Sequence, residues 1–312
     1  MTRVLVEGEL TVDDVIVEDV GCDWKQIGGG ALYSAVGAAM WGVEVVLCAT
    51  IGPDYPLEAL DPVAAGGVDI SHVTRIEEPS LGLWLLSETG DRRRQIVKSR
   101  SATFQTLSAA RPPWDELAAG IEGVHAAPTM VAAQSRVLSR AAAHGIVATQ
   151  DALIEPFIEV ERYRTGEAMR GASVFLPSIQ EVRQIWGDDV DLPALFDHLH
   201  EVSGLRALVV TLGSAGADVY QAAGPVLRVP PVTVDVVDTT GAGDAFCGGF
   251  LTGLLATDDP VEAAIRGAVS SSFVVATVGA PAAIRAADPA TAMARAAALR
   301  DRLEEAHDDR RA

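Results

Sequence analysis

Basic residues are scarce in this chain of 312 residues: 24 Lys and Arg stand against 43 Asp and Glu, a formal net charge of -19. Lys25 and Lys98 are its only lysines, and no GxxxxGK[ST] stretch occurs, which excludes a Walker-type nucleotide loop. The same imbalance argues against sequence-independent binding to nucleic acid or an anionic membrane, so any bound anion must be held locally. Cysteine is nearly absent too. Cys22, Cys48 and Cys247 are scattered without a CxxC pair, so neither a disulfide framework nor a zinc site is expected, and a reducing cytoplasm fits. Aromatics make up 5% of the residues. There is no long apolar run of membrane type: the longest uncharged stretch, 267-GAVSSSFVVATVGAPAAI-284, carries Ser, Thr, Gly and Pro and suits a buried helix and turn. The start, MTRVLVEGEL, reads as a strand and not as a signal peptide. Nucleophile-elbow and HExxH motifs are missing as well.

What is present is an alternation. RVLVEG (3-8), VEVVLCAT (43-50), GVHAAP (123-128), GIVATQD (145-151), ASVFLP (172-177) and RALVVTLG (206-213) read as strands buried on both faces. Between them, residues 30-42, 131-145 and 190-204 have helical apolar spacing and a terminal Gly. Such alternation predicts an α/β fold with a mainly parallel central sheet, covered on both sides and binding its ligand at the carboxyl ends of the strands. Residues 11-27 and 81-100 break the rhythm. They are extended and turn-punctuated, with a hairpin turn expected at Glu88 to Asp91, and they predict a small β-sheet lid. The tail 287-312 reads as a terminal helix with a charged end. Without repeats or a low-complexity linker, one domain over 1-312 is expected.

The stretch 235-DVVDTTGAGDAFCGGF-250 carries the chemistry. VTVDVVD, after Pro230 and Pro231, is strand-like, and Phe246, Phe250, Leu251 and Leu254 have helical spacing. Gly241, Ala242 and Gly243 thus fall where a helix begins, offering unpaired amides and the positive dipole end to an anion. Gly248 and Gly249 would let that helix pack closely. A carboxylate at Asp244 would repel a bound phosphate, yet it makes sense as a base that accepts the proton of an attacking hydroxyl. A capped helix start would account for GAGD alone.

The longer string DTTGAGDAFCGGF resembles the C-terminal signature of the ribokinase-like, or phosphofructokinase-B, family of carbohydrate kinases. Other pieces follow in the family's order: 8-GELTVDD-14, 28-GGGALYSAVGAAMWG-42, 51-IGPDYP-56, 66-GGVDISHV-73 and 211-TLGSAGADVY-220. The resemblance implies a three-layer α/β/α ribokinase-like fold with a lid. It implies that Gly241, Ala242 and Gly243 form an anion hole beside the base Asp244. It further implies that Asp13, Gly28, Gly29 and Tyr33 hold the acceptor, and that Thr211, Gly213, Gly216 and Thr239 flank ATP. Asp238 would support its loop or help hold a monovalent cation, although Ala283 stands where a hydroxyl would be sought for that cation. Pairing of lids into a homodimer is also implied.

Three positions depart from the family pattern. Tyr33 stands where relatives carry Asn, leaving open a packing role or a face for an atypical substrate. At 177-PSIQE-181, Ser178 replaces Asn while Glu181 is kept, so Glu181 is the candidate Mg2+ residue, acting through water, and Ser178 with Glu181 also reads as a capping box. In the lid, Arg92, Arg93 and Arg94 are either a solvated charge run or include a residue facing the cleft. Asp151 ends a strand and could face the cleft or merely turn the chain; His125 reads as a core histidine. The expected function is ATP-dependent, Mg2+-assisted phosphorylation of a hydroxyl on a small sugar, cyclitol or related polyol. The alternatives are a nucleoside kinase of the same fold and a non-catalytic binding relative.

Overall fold

The structure is a computed structural model that describes residues 2-17, 19, 21-88, 92-110, 119-153, 155, 158-222 and 224-308. Its central sheet is assembled from β1 (Arg3–Glu7), β4 (Glu44–Ile51), β5 (Val68–Asp69), β6 (Val73–Arg75), β9 (Gly123–Ala126), β10 (Val147–Gln150), β11 (Val174–Phe175), β12 (Ala207–Thr211), β13 (Ala217–Gln221) and β14 (Leu227–Val229). The strand order is β14-β13-β12-β11-β10-β9-β1-β4-β5, with β6 paired to the far end of β4. Pairing is parallel from β5 to β12 and antiparallel through β13 and β14. β4 shows why the sheet is covered twice: after Glu44 every residue to Ile51 is buried, as a strand between two helix layers requires.

One helix layer holds α1 (Gly30–Ala39), α8 (Ala242–Thr257), α9 (Pro260–Val275), α10 (Ala280–Ala286) and α11 (Pro289–Asp308). The other contains α3 (Phe104–Ala109), α4 (Val131–His144), α5 (Val160–Arg164), α6 (Ile179–Trp186) and α7 (Leu192–Ser203); the short α2 (Asp61–Ala65) lies near α10. The expected three-layer α/β/α arrangement is therefore present. Local chemistry sets the helix ends. Ser178 and Glu181 form a reciprocal capping box at α6, Asp191 and Asp259 cap α7 and α9, and left-handed Gly145 and Gly204 close α4 and α7.

The lid is a separate sheet of β2 (Thr11–Val17), β3 (Gly21–Gly28), β7 (Leu81–Glu88) and β8 (Arg92–Val97), in the order β3-β2-β7-β8. β2 pairs parallel with β7 and antiparallel with β3, and β8 closes the far edge against β7. Asp14 pins three of these strands. It accepts from Lys98 Nζ at 2.8 Å, Trp84 Nε1 at 3.2 Å and the Lys25 amide at 3.0 Å, while Lys98 also donates to the Val12 carbonyl at 3.0 Å. Gln95 on β8 reaches Glu155 Oε1 at 2.8 Å, tying the lid edge to the segment after β10. The hairpin turn expected at 88-91 lies, beyond Glu88, outside the described residues, as do the side chains of Arg92, Arg93 and Arg94.

One expectation fails. Residues 230-238 form no strand. Pro230 and Pro231 lack the donors a ladder needs, and the amides of Val237 and Asp238 turn instead to the Val275 carbonyl at the end of α9, at 2.7 and 3.2 Å. ASVFLP also yields a shorter strand than expected, only Val174 and Phe175.

α1 and α8 cross at backbone distance. A Cβ on Gly37 would run into the Ala245 carbonyl, and one on Gly248 into the Ser34 carbonyl; Gly249 likewise faces Ser270 Oγ. On an open helix surface Gly→Ala gains stability. Here the added methyl has no space, so Gly248→Ala is expected to destabilise the protein by about 1–3 kcal/mol, read as a lowered thermal midpoint; an unchanged or raised midpoint would refute the close crossing.

Candidate active site

The start of α1, after lid strand β3, and the start of α8, after edge strand β14, meet at one place. Gly29, with φ 103, ends the lid strand and begins α1 where a Cβ would strike the Glu9 carbonyl. Gly241, with φ 75, does the same for α8. The amide of Ala242 reaches back to the Thr239 carbonyl at 3.3 Å and Ala245 donates to Gly241 at 2.9 Å. The amide of Gly243 lies in the first turn, where no intrahelical acceptor exists, while that of Asp244 is engaged by its own carboxylate. Gly243 is exposed, and nothing lies within 4 Å of where its Cβ would be. An anion can therefore approach this turn from solvent.

Asp244 leans across this mouth onto the neighbouring helix. A Cβ on Gly30 would lie 2.7 Å from Asp244 Oδ1 and 2.8 Å from Pro128 Cδ, so only glycine leaves room for that carboxylate. Surrounding protein raises the Asp244 carboxyl to about 6, opposed by its own backbone amide. Asp13 sits on the lid side. It is 4% exposed; Thr11 Oγ1 donates to its Oδ2 at 2.8 Å, and its Oδ1 is buried with no partner. Burial raises it to about 7, against the Thr11 bond and the Lys98 charge. Gly28 makes this possible, since a Cβ there would overlap Asp13 Oδ2.

Between lid and body lies a cleft lined by Asp13, Val15, Asp23, Gln26, Ile27 and Tyr33 on one side and Asp238, Thr240, Val278 and Gly279 on the other. Tyr33 reaches it only by an edge. It is 4% exposed, and its ring lies where a Cβ of Gly241 would go, so it buttresses the start of α8 and has little free face for stacking. Burial, then Asp238, Asp13 and Asp244, push its hydroxyl upward. Asp238 Oδ1 accepts the Thr240 amide at 2.9 Å and so supports the loop. Ala283 is fully buried within α10 and brings no hydroxyl.

At the far side of Asp244 a second acidic group gathers. Asp151, after β10, and Glu181, in the first turn of α6, stand close enough to Asp244 for their charges to oppose one another. Burial, then Glu181 and Asp244, raise Asp151 well above the carboxylate range. Burial also raises Glu181 to about 7, against its bonds to Ser178. Cys247 Sγ lies 3.7 Å from Asp151 Oδ2, and burial followed by these carboxylates pushes its thiol up. Asp151 is held by its backbone: fully buried Gln134 donates to the carbonyls of Ala126, Ala127 and Asp151 at 3.2, 3.0 and 2.7 Å, and its Oε1 accepts from Gln150 and Tyr163. Sequence reading left Asp151 undecided. Its place at the end of a strand was the one signal, and the spatial neighbours that give it meaning are distant in the chain.

These carboxylates bear on magnesium. Among the described residues no three His, Cys, Asp or Glu side chains form a set that could hold a metal ion alone. Glu181 and Asp151 instead form an acidic wall beside the α8 mouth, which fits an ion held mainly by phosphates and water. Thr211 ends β12 beside Ser178, and Gly213 opens the following turn, placing both on the same edge of the sheet. Gly216, φ 92, is explained by close approach to the Val229 carbonyl. His125 is fully buried; its Nδ1 bonds Thr149 at 3.0 Å, Nε2 has no partner, and burial lowers it to about 3, so it stays a neutral core residue.

Residues 1–287 match the model described as pfkB family carbohydrate kinase. The chain is 27% identical over 270 residues to the cytidine kinase of Thermococcus kodakarensis, covering 85% of this chain and 93% of that protein. It is 28% identical over 285 residues to the bifunctional protein HldE of Azorhizobium caulinodans, covering 88% of this chain but only 56% of that one. In fold it resembles the fructokinase with bound ATP from Xylella fastidiosa, at 19% identity, TM-score 0.76 and coverage of 94% and 97%. The nucleoside kinase of Methanocaldococcus jannaschii is similar too, at 20% identity, TM-score 0.72 and coverage of 95% and 98%.

The raised carboxyls make a stability prediction. A folded-state carboxyl above its unfolded value holds protons that the unfolded chain gives up, so its favourable contribution is present below the unfolded value and lost as pH rises through the folded one. Asp244, raised from 3.8 to about 6, is thus destabilising at pH 8. Asp244→Asn is expected to raise the melting temperature at pH 8 by a few degrees and to change it little at pH 4. A lowered midpoint at pH 8 would contradict the burial of this carboxyl.

Proposed function

The chain belongs to the pfkB family of carbohydrate kinases, phosphotransferases with hydroxyl acceptors, and we propose that it transfers the γ-phosphoryl group of ATP to a hydroxyl of a small sugar, cyclitol or related polyol. The observation that carries this reading is Asp13: its Oδ1 is a buried carboxylate oxygen without a partner, and the residue lines a cleft that also takes in Asp238 and Thr240, just ahead of the start of α8. A polyol hydroxyl donating to it would remove the cost of leaving it unpaired.

In this reading Asp13, with Gly28 and Gly29 shaping the strand end beside it, orients the acceptor. The amides of 241–243 hold the γ-phosphate, and Thr211, Gly213 and Thr239 line the nucleotide side, with Gly216 keeping their turn in place. Asp244 takes the proton of the attacking hydroxyl as the acceptor oxygen bonds to phosphorus and the bond to the β-phosphate oxygen breaks, releasing ADP. Backbone donors at the site of developing charge supply much of the rate in such transfers. Glu181 and Asp151 would hold magnesium together with phosphate oxygens and water, and the ion would add charge neutralisation. Lid closure over the cleft excludes water. A nucleoside acceptor is the second reading, favoured by the similarity to a cytidine kinase; Tyr33, enclosed against Gly241, contributes no stacking platform to it.

Asp244→Asn is expected to lower kcat for ADP release by about 10²–10⁴-fold, as loss of a general base does, with the fold intact by circular dichroism. In the wild type, kcat/KM should fall as pH drops through about 7 to 6, where Asp13 and Asp244 gain protons. Turnover in the variant close to wild type would remove the base assignment. The outer lid face exposes Trp24 by 60%, Trp84 by 42% and Ile96 by 42%, which suits pairing of two lids as a homodimer. Sedimentation should then give twice the 32.6 kDa chain mass, and Trp84→Glu should give monomers; a monomeric wild type would reject the pairing.

A further inference from the structure

The charged side chains that line the acceptor cleft, among the described residues, are of one sign. Among the described residues its lining carries three carboxylates, Asp13, Asp23 and Asp238, with Gln26, Tyr33 and Thr240, and no lysine or arginine. The register of the lid places them in order: Asp13 is opposite Gln26, while Asp23 is opposite Val15, further out along the same two strands. Asp238 faces them from the body side of the cleft. Lys98, whose charge acts on Asp13, is engaged by Asp14 at 2.8 Å and by the Val12 carbonyl at 3.0 Å, and Lys25, next to Gln26 on β3, is exposed and outside the lining. β8, which carries Arg92, Arg93 and Arg94, is at the opposite edge of the sheet from β3, separated from it by β2 and β7.

These carboxylates are not a metal cage, since among the described residues no set of three could hold an ion. They are spread along the walls of a space that, in the kinase reading, admits an organic molecule, and one of them, Asp13, has a buried oxygen without a partner. Hydroxyl and ammonium groups donate hydrogen bonds to carboxylates; phosphate and carboxylate groups have no donor to offer when ionised and meet repulsion from every wall. Selection of this kind works by a built-in penalty on the wrong ligand as much as by contacts to the right one.

Resting on the kinase reading above, we infer that the cleft selects its acceptor by charge: it takes a polyhydroxy compound that is neutral or bears an ammonium group, and rejects one bearing a phosphate or carboxylate. Asp23, which lies outside the pairing of Asp13 with Gln26, is the residue that extends this rejection toward the cleft entrance.

The test uses the full chain without nucleotide and matched ligands: glucose, glucosamine, glucuronate and glucose 6-phosphate; ribose and ribose 5-phosphate; cytidine and cytidine 5′-monophosphate. Binding is measured by calorimetry, at low and at raised salt. Within each series the neutral or ammonium-bearing members are expected to bind about tenfold or more tightly than the anionic ones, with the gap narrowing as salt screens the field. Asp23→Arg should reduce that gap, and Asp23→Asn should give an intermediate value, which a merely structural role would not produce. An anionic member binding as tightly as its neutral counterpart, or failure of every neutral and ammonium-bearing member to bind, overturns the inference. ADP release is followed in parallel: charge-selective binding without any transfer supports this inference and removes the kinase reading, whereas transfer to an anionic acceptor as fast as to its neutral counterpart does the reverse.

Discussion

The site depends on the backbone contact between α1 and α8. Two helices normally stand 8–10 Å apart, held off by their side chains. Here Gly37 meets the Ala245 carbonyl and Gly248 meets the Ser34 carbonyl, and the helix heads are correspondingly close. That closeness lets Asp244, in the first turn of α8, place its carboxylate over Gly30 in the first turn of α1. It also lets the ring of Tyr33, on α1, support the left-handed Gly241 that opens α8. The proposed acceptor side, at Gly28 and Gly29, and the proposed phosphate side, at 241–243, are therefore built on one joint.

A protein that concentrates carboxylates in this way gives up stability for reactivity. Asp13, Asp151, Glu181 and Asp244 are all raised chiefly by burial, and for Asp151 and Glu181 the neighbouring charges add to it. The structure tolerates them because backbone groups hold them in place: the Ala152 amide on Asp151 at 2.7 Å, the Ser178 amide on Glu181 at 2.6 Å, and the Gln134 side chain on the strand ends beneath. Perturbed carboxyls gathered in one cleft are a mark of a working site. Their arrangement also divides the labour, with Asp13 beside the lid, Asp244 at the joint and the other two beyond it.

Much of this was legible in the chain. Strand and helix alternation announced the three layers, the off-rhythm segments 11–27 and 81–100 became the lid, and the GAGD string marked a helix mouth with a carboxylate beside it. Three things were not. The strand expected over 232–238 is absent, and the amides of Val237 and Asp238 at its end are used by Val275, a partner 38 and 37 residues away in sequence. The significance of Asp151 depends on Glu181 and Asp244, brought beside it by different crossovers. Tyr33, open between packing and substrate contact at first, is mostly enclosed, a consequence of where Gly241 comes to rest.

Sequence by itself determined what depends on local order: which segments are extended or helical, where helices start, that a carboxylate follows an anion-binding turn, and that lysine could not do the gripping. Periodicity and capping act over a few residues, so one dimension records them. Tertiary structure alone decided which carboxylates face one another, how far each is raised, and that Asp13, Asp23 and Asp238 line one cleft with no cation among its described residues. Those properties depend on burial and on distances between segments remote in the chain, and both are set only when the helices close on the sheet.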